Sequence, residues 1–295
     1  MANRREQTMH LLIKLPKVFW QSTGEKLQMS KVKLLNVSID NVSMSELLAN
    51  LKQGVIFTPN VDHMVKLQSD REFFEAYAAA DYRTCDSKVL YYASRLVGCP
   101  FKAKVSGSDL FPAFYEYHKN NPDIRVFLLG AKEGVAAEAQ QKINAKVGRE
   151  IVVGVHSPSF GFEKHEDECQ RIIELVNQSG ANVLAVGVGA PKQEKFIHKY
   201  RHQFKHIKIF MAIGATIDFE AGNVNRAPKW LSEVGMEWLY RLVAEPRRLW
   251  KRYLVEGPTF FWFLFMQILH LYNNPFEVLE QDVSQEEDSK HKVMV

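Results

Sequence analysis

Four short polar or glycine-rich segments, each following an expected strand, hold the side chains of this 295-residue chain best placed to do chemistry. Val55-Ile56-Phe57 leads into Thr58-Pro59-Asn60, and Tyr82 to Cys85 leads into Asp86-Ser87. Phe127-Leu128-Leu129 leads into Gly130-Ala131-Lys132, and Val186-Gly187-Val188 into Gly189-Ala190-Pro191-Lys192-Gln193-Glu194. If each run is a strand of a parallel sheet, these segments lie beyond the carboxyl ends of the strands, where open α/β sheets bind ligands. Each strand-to-helix turn there aims free N–H groups and a helix dipole at the crevice, an arrangement that suits the phosphates of a nucleotide. Asp86, directly after a strand, is a candidate general base. The alternative is that it caps the following helix, the ordinary role of Thr58, Asn60 or Ser87 taken singly.

Several familiar motifs are absent. Gly187-Val188-Gly189 continues as Ala-Pro-Lys, so it is not the GxGxxG of a dinucleotide site, and Pro191 stands where close helix packing is needed. No GxxxxGK[ST] phosphate loop, no GxSxG elbow, no HExxH and no D-x-D pair occurs. No metal site is therefore expected, and Glu166-Asp167-Glu168 reads as the solvated face of a helix. His63, beside Asp62, is a weak acid–base candidate. Cys85, Cys99 and Cys169 are odd in number and scattered, which fits neither a disulfide framework nor a metal site and points to a reducing, cytosolic setting.

The elements that must position these residues alternate. Strands are expected over Val32 to Ile39, Val55 to Thr58, Tyr82 to Cys85, Arg125 to Leu129, Ile151 to Val155, Val183 to Val188 and Ile207 to Ile213. Helical patterns fill residues 43–52, 60–80, 87–97, 108–119, 133–147, 164–178 and 191–200. Such alternation predicts an α/β fold: a Rossmann-like, largely parallel sheet with helices on both faces. Ser43 with Glu46 fits a capping box, and Gly54, Gly98, Gly148 and Gly180 follow helical patterns. Pro112 is expected in a first helical turn.

Domain limits follow from changes in this pattern. Residues 1–30 form a basic extension, 31–225 the α/β catalytic domain, 226–272 a helical appendage rich in basic and aromatic side chains, and 273–295 an acidic tail of low apolar content expected to be disordered. The net charge of +4 is too small to imply nucleic-acid binding. Lys14 and Lys17 interrupt the apolar stretch a signal peptide requires. Phe260 to Ile268 is too short to span a bilayer. In a helix from Pro246 onward, Leu249, Trp250, Tyr253 and Leu254 fall on one side and Arg247, Arg248, Lys251 and Arg252 on the other. With the aromatic run from Phe260, this suggests docking on an anionic membrane surface and closure over the site; the alternative is that the apolar side packs on the α/β core.

Taken in order, Thr58-Pro59-Asn60-Val61-Asp62, Cys85-Asp86-Ser87, Val105-Ser106-Gly107-Ser108-Asp109-Leu110, Phe127-Leu128-Leu129-Gly130, Val186 to Glu194, Glu237-Trp238-Leu239-Tyr240-Arg241-Leu242 and Glu245-Pro246-Arg247-Arg248 resemble the WecG/TagA/CpsF glycosyltransferase family. The match runs from about residue 32 to 253. The Gly-x-Gly-Ala-Pro-Lys-Gln-Glu and Glu-Trp-x-Tyr-Arg-Leu blocks are its most specific parts. The resemblance implies an inverting, metal-independent enzyme without a cofactor. It would move a sugar from a UDP-sugar, a nucleotide-sugar donor, to a polyprenyl-diphosphate-linked acceptor saccharide in cell-surface polysaccharide synthesis, at the inner face of the bacterial plasma membrane. Asp86 would be the general base with Thr58 beside it, and Thr58 and Asn60 would hold donor sugar or acceptor. Gln193, Gly130 and the amides around Gly187 and Gly189 would bind the nucleotide. Lys192, Arg241 and Arg248 would meet the leaving diphosphate, a task suited to the guanidinium fork.

Two departures stand out. The family usually has Asp-Gly where this chain has Asp86-Ser87, and an Arg where Lys104 stands. Donor sugar and oligomeric state are not inherited from the resemblance, and homo-oligomerisation stays open. Competing readings are a nucleotide-sugar epimerase or dehydrogenase, which the missing GxGxxG opposes, and a non-catalytic sugar-nucleotide sensor, which the retained Asp86 opposes.

Overall fold

The computed structural model describes residues 30–224, 227–228, 231, 235–244 and 246–277. The basic extension up to residue 29 and the tail beyond residue 277 lie outside them. The described residues open with an antiparallel hairpin of β1 (Lys31–Leu34) and β2 (Val37–Asp40), followed by α1 (Met44–Asn50). There follow β3 (Gly54–Phe57), α2 (Val61–Lys66), α3 (Arg71–Ala78), β4 (Tyr82–Arg83), α4 (Lys88–Leu96), α5 (Gly107–Tyr117), β5 (Val126–Gly130) and α6 (Val135–Val147). The second half carries β6 (Val152–His156), α7 (Glu166–Gln178), β7 (Val183–Gly187), α8 (Lys192–Tyr200), β8 (Ile209–Ala212) and α9 (Thr216–Ala221). Then come α10 (Glu237–Ala244), α11 (Pro246–Lys251), a π-helical turn at Arg252–Glu256 and α12 (Gly257–Ile268).

Six strands form one sheet in the order β4-β3-β8-β7-β5-β6, every pair parallel. Helices cover both faces, as the period of two dictates. Val55, Phe57, Phe127, Leu129, Leu184 and Val186 enter one core with α2, α3, α4, α7 and α8. Their neighbours Ile56, Val126, Leu128, Val183 and Ala185 enter the other, with α1, α5, α6 and α9. The expected Rossmann-like α/β architecture is therefore present.

Three expectations need correction. Val32 to Ile39 is not one strand: Leu35, at φ 52, turns the chain so that Lys31 pairs with Asp40 and Leu34 with Val37. Residues 60–80 are not one helix either. The chain leaves α2 after Lys66, and Asp70 starts α3 by accepting from the Phe73 N–H. Pro112 sits in the second turn of α5, because the helix begins at Gly107. The capping box at Ser43 and Glu46 is present, and α9 went unread in the sequence.

The C-terminal helices divide their apolar residues between core and solvent. Phe260 and Leu264, one turn apart on α12, are fully buried in the core shared with α2, whereas Phe261, Trp262 and Phe265 are about half exposed. Burying two such side chains contributes about 1.5–3 kcal/mol each, so α12 is anchored to the α/β core. Gln267 strengthens the anchorage by accepting from the Leu35 N–H at 2.9 Å. Of the apolar residues expected on one side from Pro246 onward, Leu249 is buried while Trp250 and Leu254 are exposed, and a π-helical turn follows Lys251.

Candidate active site

The β3–β4 register, Ile56 against Tyr82 and Phe57 against Arg83, carries the two chain segments out of the sheet side by side. The Asp86 N–H donates to the Pro59 carbonyl at 3.0 Å, and the Thr58 hydroxyl donates to Asp86 Oδ2 at 3.2 Å. Thr58 is buried and Asp86 half-buried, so the carboxylate stands at the rim with its Thr58 contact beneath it. Ser87 supplies the cap on α4, through its hydroxyl and the Leu90 N–H, leaving Asp86 outside that role. Ser87 lies at φ -160, extended backbone that any residue adopts, so serine in place of the family's glycine brings no strain. Asn60 caps α2 by accepting from the His63 N–H at 3.2 Å.

A third segment closes over this pair. The Val105 N–H donates to the Cys85 carbonyl and the Thr84 hydroxyl to the Val105 carbonyl, stitching residues 103–107 beside the end of β4. Gly107, the first residue of α5, lies so close that a Cβ there would sit 3.3 Å from Thr58 Oγ1 and 3.4 Å from the Ala212 carbonyl at the end of β8. The N-termini of α2, α4 and α5 thus meet around Thr58 and Asp86, a positive potential suited to an anionic ligand. Lys104 is drawn to Asp109 at 3.1 Å, and Asp109 also accepts from the Ser106 hydroxyl at 2.5 Å.

Beyond β8 the rim is floored by glycine. A Cβ on Gly130 would lie 2.5 Å from the Gly187 carbonyl, and one on Gly187 would lie 2.6 Å from the Gly214 carbonyl. Three neighbouring strand ends are therefore pressed together as bare backbone, a surface that a diphosphate can approach closely. Gln193 holds it. Its Oε1 accepts from the Gly189 N–H at 3.3 Å and the Gly214 N–H at 3.2 Å, while its Nε2 donates to Glu194 Oε1 at 2.8 Å. Both side chains are buried, and burial pushes the Glu194 carboxyl up to about 7.

Lys192 stands at the far end of this floor, 3.4 Å from Glu163 Oε1 and 4.4 Å from the Phe160 ring centroid. The Ser157 hydroxyl joins the same loop to the floor, donating to the Gly130 carbonyl at 3.3 Å and the Lys132 carbonyl at 3.1 Å. Arg241 and Arg248 lie on α10 and α11, but their side chains are outside the described part of the structure. His63 is a core histidine rather than a rim group: it is buried, edge-on to Phe73, and its Nδ1 shares a 2.7 Å hydrogen bond with the Tyr77 hydroxyl. Among the described residues no three His, Cys, Asp or Glu side chains gather as a metal site.

The structure thus brings Thr58, Asn60, Asp86, Gly130, Gly187, Gly189 and Gln193 to one edge of the sheet, with Lys192 at its end. Sequence reasoning gave no part to Gly107, Gly214, Phe160 or Glu163. Gly107 lay in a quoted motif, and Phe160, between Ser159 and Gly161, carried the signal of an aromatic residue in a loop with no core to fill.

A parallel α/β sheet whose carboxyl edge joins a carboxylate to a glycine floor is an arrangement suited to a phosphorylated ligand. The chain belongs to the glycosyl transferase WecG/TagA/CpsF family, whose profile matches residues 32–274, and it is a glycosyltransferase. Similar curated proteins include two named N-acetylglucosaminyldiphosphoundecaprenol N-acetyl-beta-D-mannosaminyltransferase. The one from Bacillus subtilis (strain 168) is 30% identical over 201 residues, 68% of this chain and 75% of its own. The one from Bacillus spizizenii is 30% identical over 203 residues, 69% and 76% of the two chains.

Proposed function

We propose that the enzyme transfers a sugar from a UDP-sugar to a saccharide carried on a polyprenyl diphosphate, with inversion and with Asp86 as general base. The observation that carries this reading is the Thr58–Asp86 pair at 3.2 Å, set on the same rim as the glycine floor. In a one-step displacement the acceptor hydroxyl attacks the anomeric carbon while the nucleoside diphosphate departs from the opposite face. Asp86 takes the hydroxyl proton, and the Thr58 hydroxyl holds the carboxylate in place. The helix N-termini at this rim face the leaving diphosphate as its charge grows. Lys192, Arg241 and Arg248 are the side chains we assign to the same charge. The names of the Bacillus relatives support a lipid-linked N-acetylglucosamine as acceptor class. Incubation with UDP-sugars and lipid-linked acceptor, followed by assay of UDP, tests the reading.

The leaving group is stabilised by protein groups in this proposal, so activity is expected to survive EDTA. Loss of turnover with chelator, restored by Mg²⁺ or Mn²⁺, would contradict it.

A lipid-linked acceptor presents its sugar at a membrane surface, and no helix among the described residues is long and apolar enough to cross a bilayer. We assign surface docking to the half-exposed Phe261, Trp262 and Phe265 of α12, with the exposed Arg247, Trp250 and Lys251 of α11 near them in sequence. Aromatic side chains settle at the bilayer interface, and each basic residue adds about 1 kcal/mol near anionic lipid. Replacing Phe261, Trp262 and Phe265 together by Ser is expected to weaken sedimentation with anionic liposomes by about tenfold or more, measured at a temperature where the variant is still folded. Undiminished binding would remove the membrane role from α12.

A further inference from the structure

The Gln193 amide forms a bridge within the fold. Its oxygen takes both the Gly189 N–H, in the turn after β7, and the Gly214 N–H, in the turn after β8. At the same junction a Cβ on Gly187 would lie 2.6 Å from the Gly214 carbonyl, so one amide ties together two strand ends that press backbone on backbone. It can do so in one orientation only. Turned over, it would set its NH₂ group against two N–H groups and its oxygen against a carboxyl. The group that selects the working orientation is Glu194, whose Oε1 accepts from Gln193 Nε2 at 2.8 Å. Glu194 is a costly residue to keep there. It is fully buried, and its other oxygen has no hydrogen-bond partner among the described residues. Burial pushes its carboxyl up to about 7; the Gln193 bond, its own N–H and Lys66 of α2 oppose the rise, and Asp62 of α2 adds to it. On α3, burial and then the Glu194, Asp86 and Asp62 carboxylates push the Tyr77 hydroxyl well above its ordinary value, against Arg83. The fold therefore holds its Glu194 proton to higher pH than the unfolded chain does and loses stability as pH rises toward about 7. An acid kept only for the helix dipole would stand in water, and an apolar side chain would fill this space without the cost of burying a carboxyl.

We propose that Glu194 is a positioning residue of the transferase, acting through Gln193 to hold the turns after β7 and β8 at the spacing that the donor diphosphate requires. The assignment rests on the transferase reading above and adds to it a residue that touches no substrate. Without the Glu194 acceptor, Gln193 Nε2 becomes a buried donor with no partner at that end, and the amide is released to turn over. The two glycine turns then lose their common tie, and a ligand lying across them binds more weakly. Asp86 follows β4, two strands from β8 in the sheet, so the proton-accepting end of the site keeps its geometry.

The test compares two variants of the full chain by titration calorimetry with UDP, by turnover and by melting temperature. Glu194→Met keeps the length of the side chain but removes the acceptor, whereas Glu194→Gln keeps an acceptor oxygen for Gln193. Glu194→Met is expected to weaken UDP binding on the order of 5- to 100-fold, the cost of a buried donor left without its partner, with turnover at saturating donor close to wild type. Glu194→Gln is expected to recover most of that loss. Relative to wild type, its melting temperature is expected to rise between about pH 5 and about pH 8, because the amide has no charge to bury. The double variant Gln193→Met with Glu194→Met is expected to bind UDP no more weakly than Gln193→Met alone. Four results overturn the assignment: UDP binding by Glu194→Met within about twofold of wild type, an equal loss in Glu194→Gln, losses that add in the double variant, or a Glu194→Met chain that does not fold. If wild type binds no nucleoside diphosphate at all, including those of guanine, cytosine and thymine, the donor reading fails and the assignment with it. If wild type binds UDP and Glu194→Met binds it equally well, the role given to Glu194 fails alone.

Discussion

Asp86→Asn is expected to lower acceptor-dependent transfer by about 10²- to 10⁴-fold, the range that a positioned general base contributes. The substitution keeps the size of the side chain and an oxygen for the Thr58 hydroxyl, so the Asp86–Thr58 contact at 3.2 Å and the backbone bond to Pro59 can both persist. Nucleotide affinity and thermal stability should therefore stay close to wild type, and the loss should appear in kcat. Thr58→Val, which removes the hydroxyl but leaves the carboxylate, is expected to cost less. A variant Asp86→Asn that retains more than about a tenth of the wild-type rate would show that this carboxylate is not the base.

The second large effect is structural. Gly130→Ala forces a Cβ to within 2.5 Å of the Gly187 carbonyl, at φ +138 where an alanine is strained even without a neighbour. Since the obstacle is backbone at the end of β7, the strands must part. The expected cost is roughly 3 kcal/mol or more, a fall in melting temperature of about 6–12 °C for a domain of this size. Nucleotide binding should weaken in step, because the floor it needs has opened. Gly134→Ala is the control: φ is +82 but nothing lies within 4 Å of the added carbon, so only the left-handed strain of about 1 kcal/mol remains. Equal shifts for the two variants would mean that the close approach of β5 and β7 is not what fixes Gly130.

Much of this was legible in the residues because burial on both faces of a parallel sheet writes strands as unbroken aliphatic runs. Val126 to Leu129 and Val183 to Val186 could be read that way without reference to partners. The strand ahead of Asp86 is the exception: Tyr82-Arg83-Thr84-Cys85 is no aliphatic run, and β4 covers only Tyr82–Arg83 rather than the expected Tyr82 to Cys85. Local pattern failed where a turn is built from residues that also suit a regular element. Leu35 is as apolar as the strand residues on either side, and its left-handed conformation leaves no mark in the sequence. The break between α2 and α3 rests on the Asp70 cap, hidden inside a helical period. The work of Gln193 was beyond local reasoning: one of its three partners, Gly214, lies 21 residues away and is brought to it by the crossover from β7 to β8. Phe160 was passed over for the opposite reason, since it belongs to no period.

The most direct test of the central claim is acceptor-dependent release of UDP. Purified full-length protein, in buffer with EDTA, is supplied with a panel of UDP-sugars that includes UDP-N-acetylmannosamine, with and without polyprenyl-diphosphate-linked N-acetylglucosamine. UDP and glycosylated lipid are measured in the same reactions. The account predicts that at least one donor releases UDP in step with the extended lipid-linked product, that release falls to background without acceptor, and that Asp86→Asn abolishes both. UDP release that is equal with and without acceptor, or no extended lipid from any donor, would contradict it.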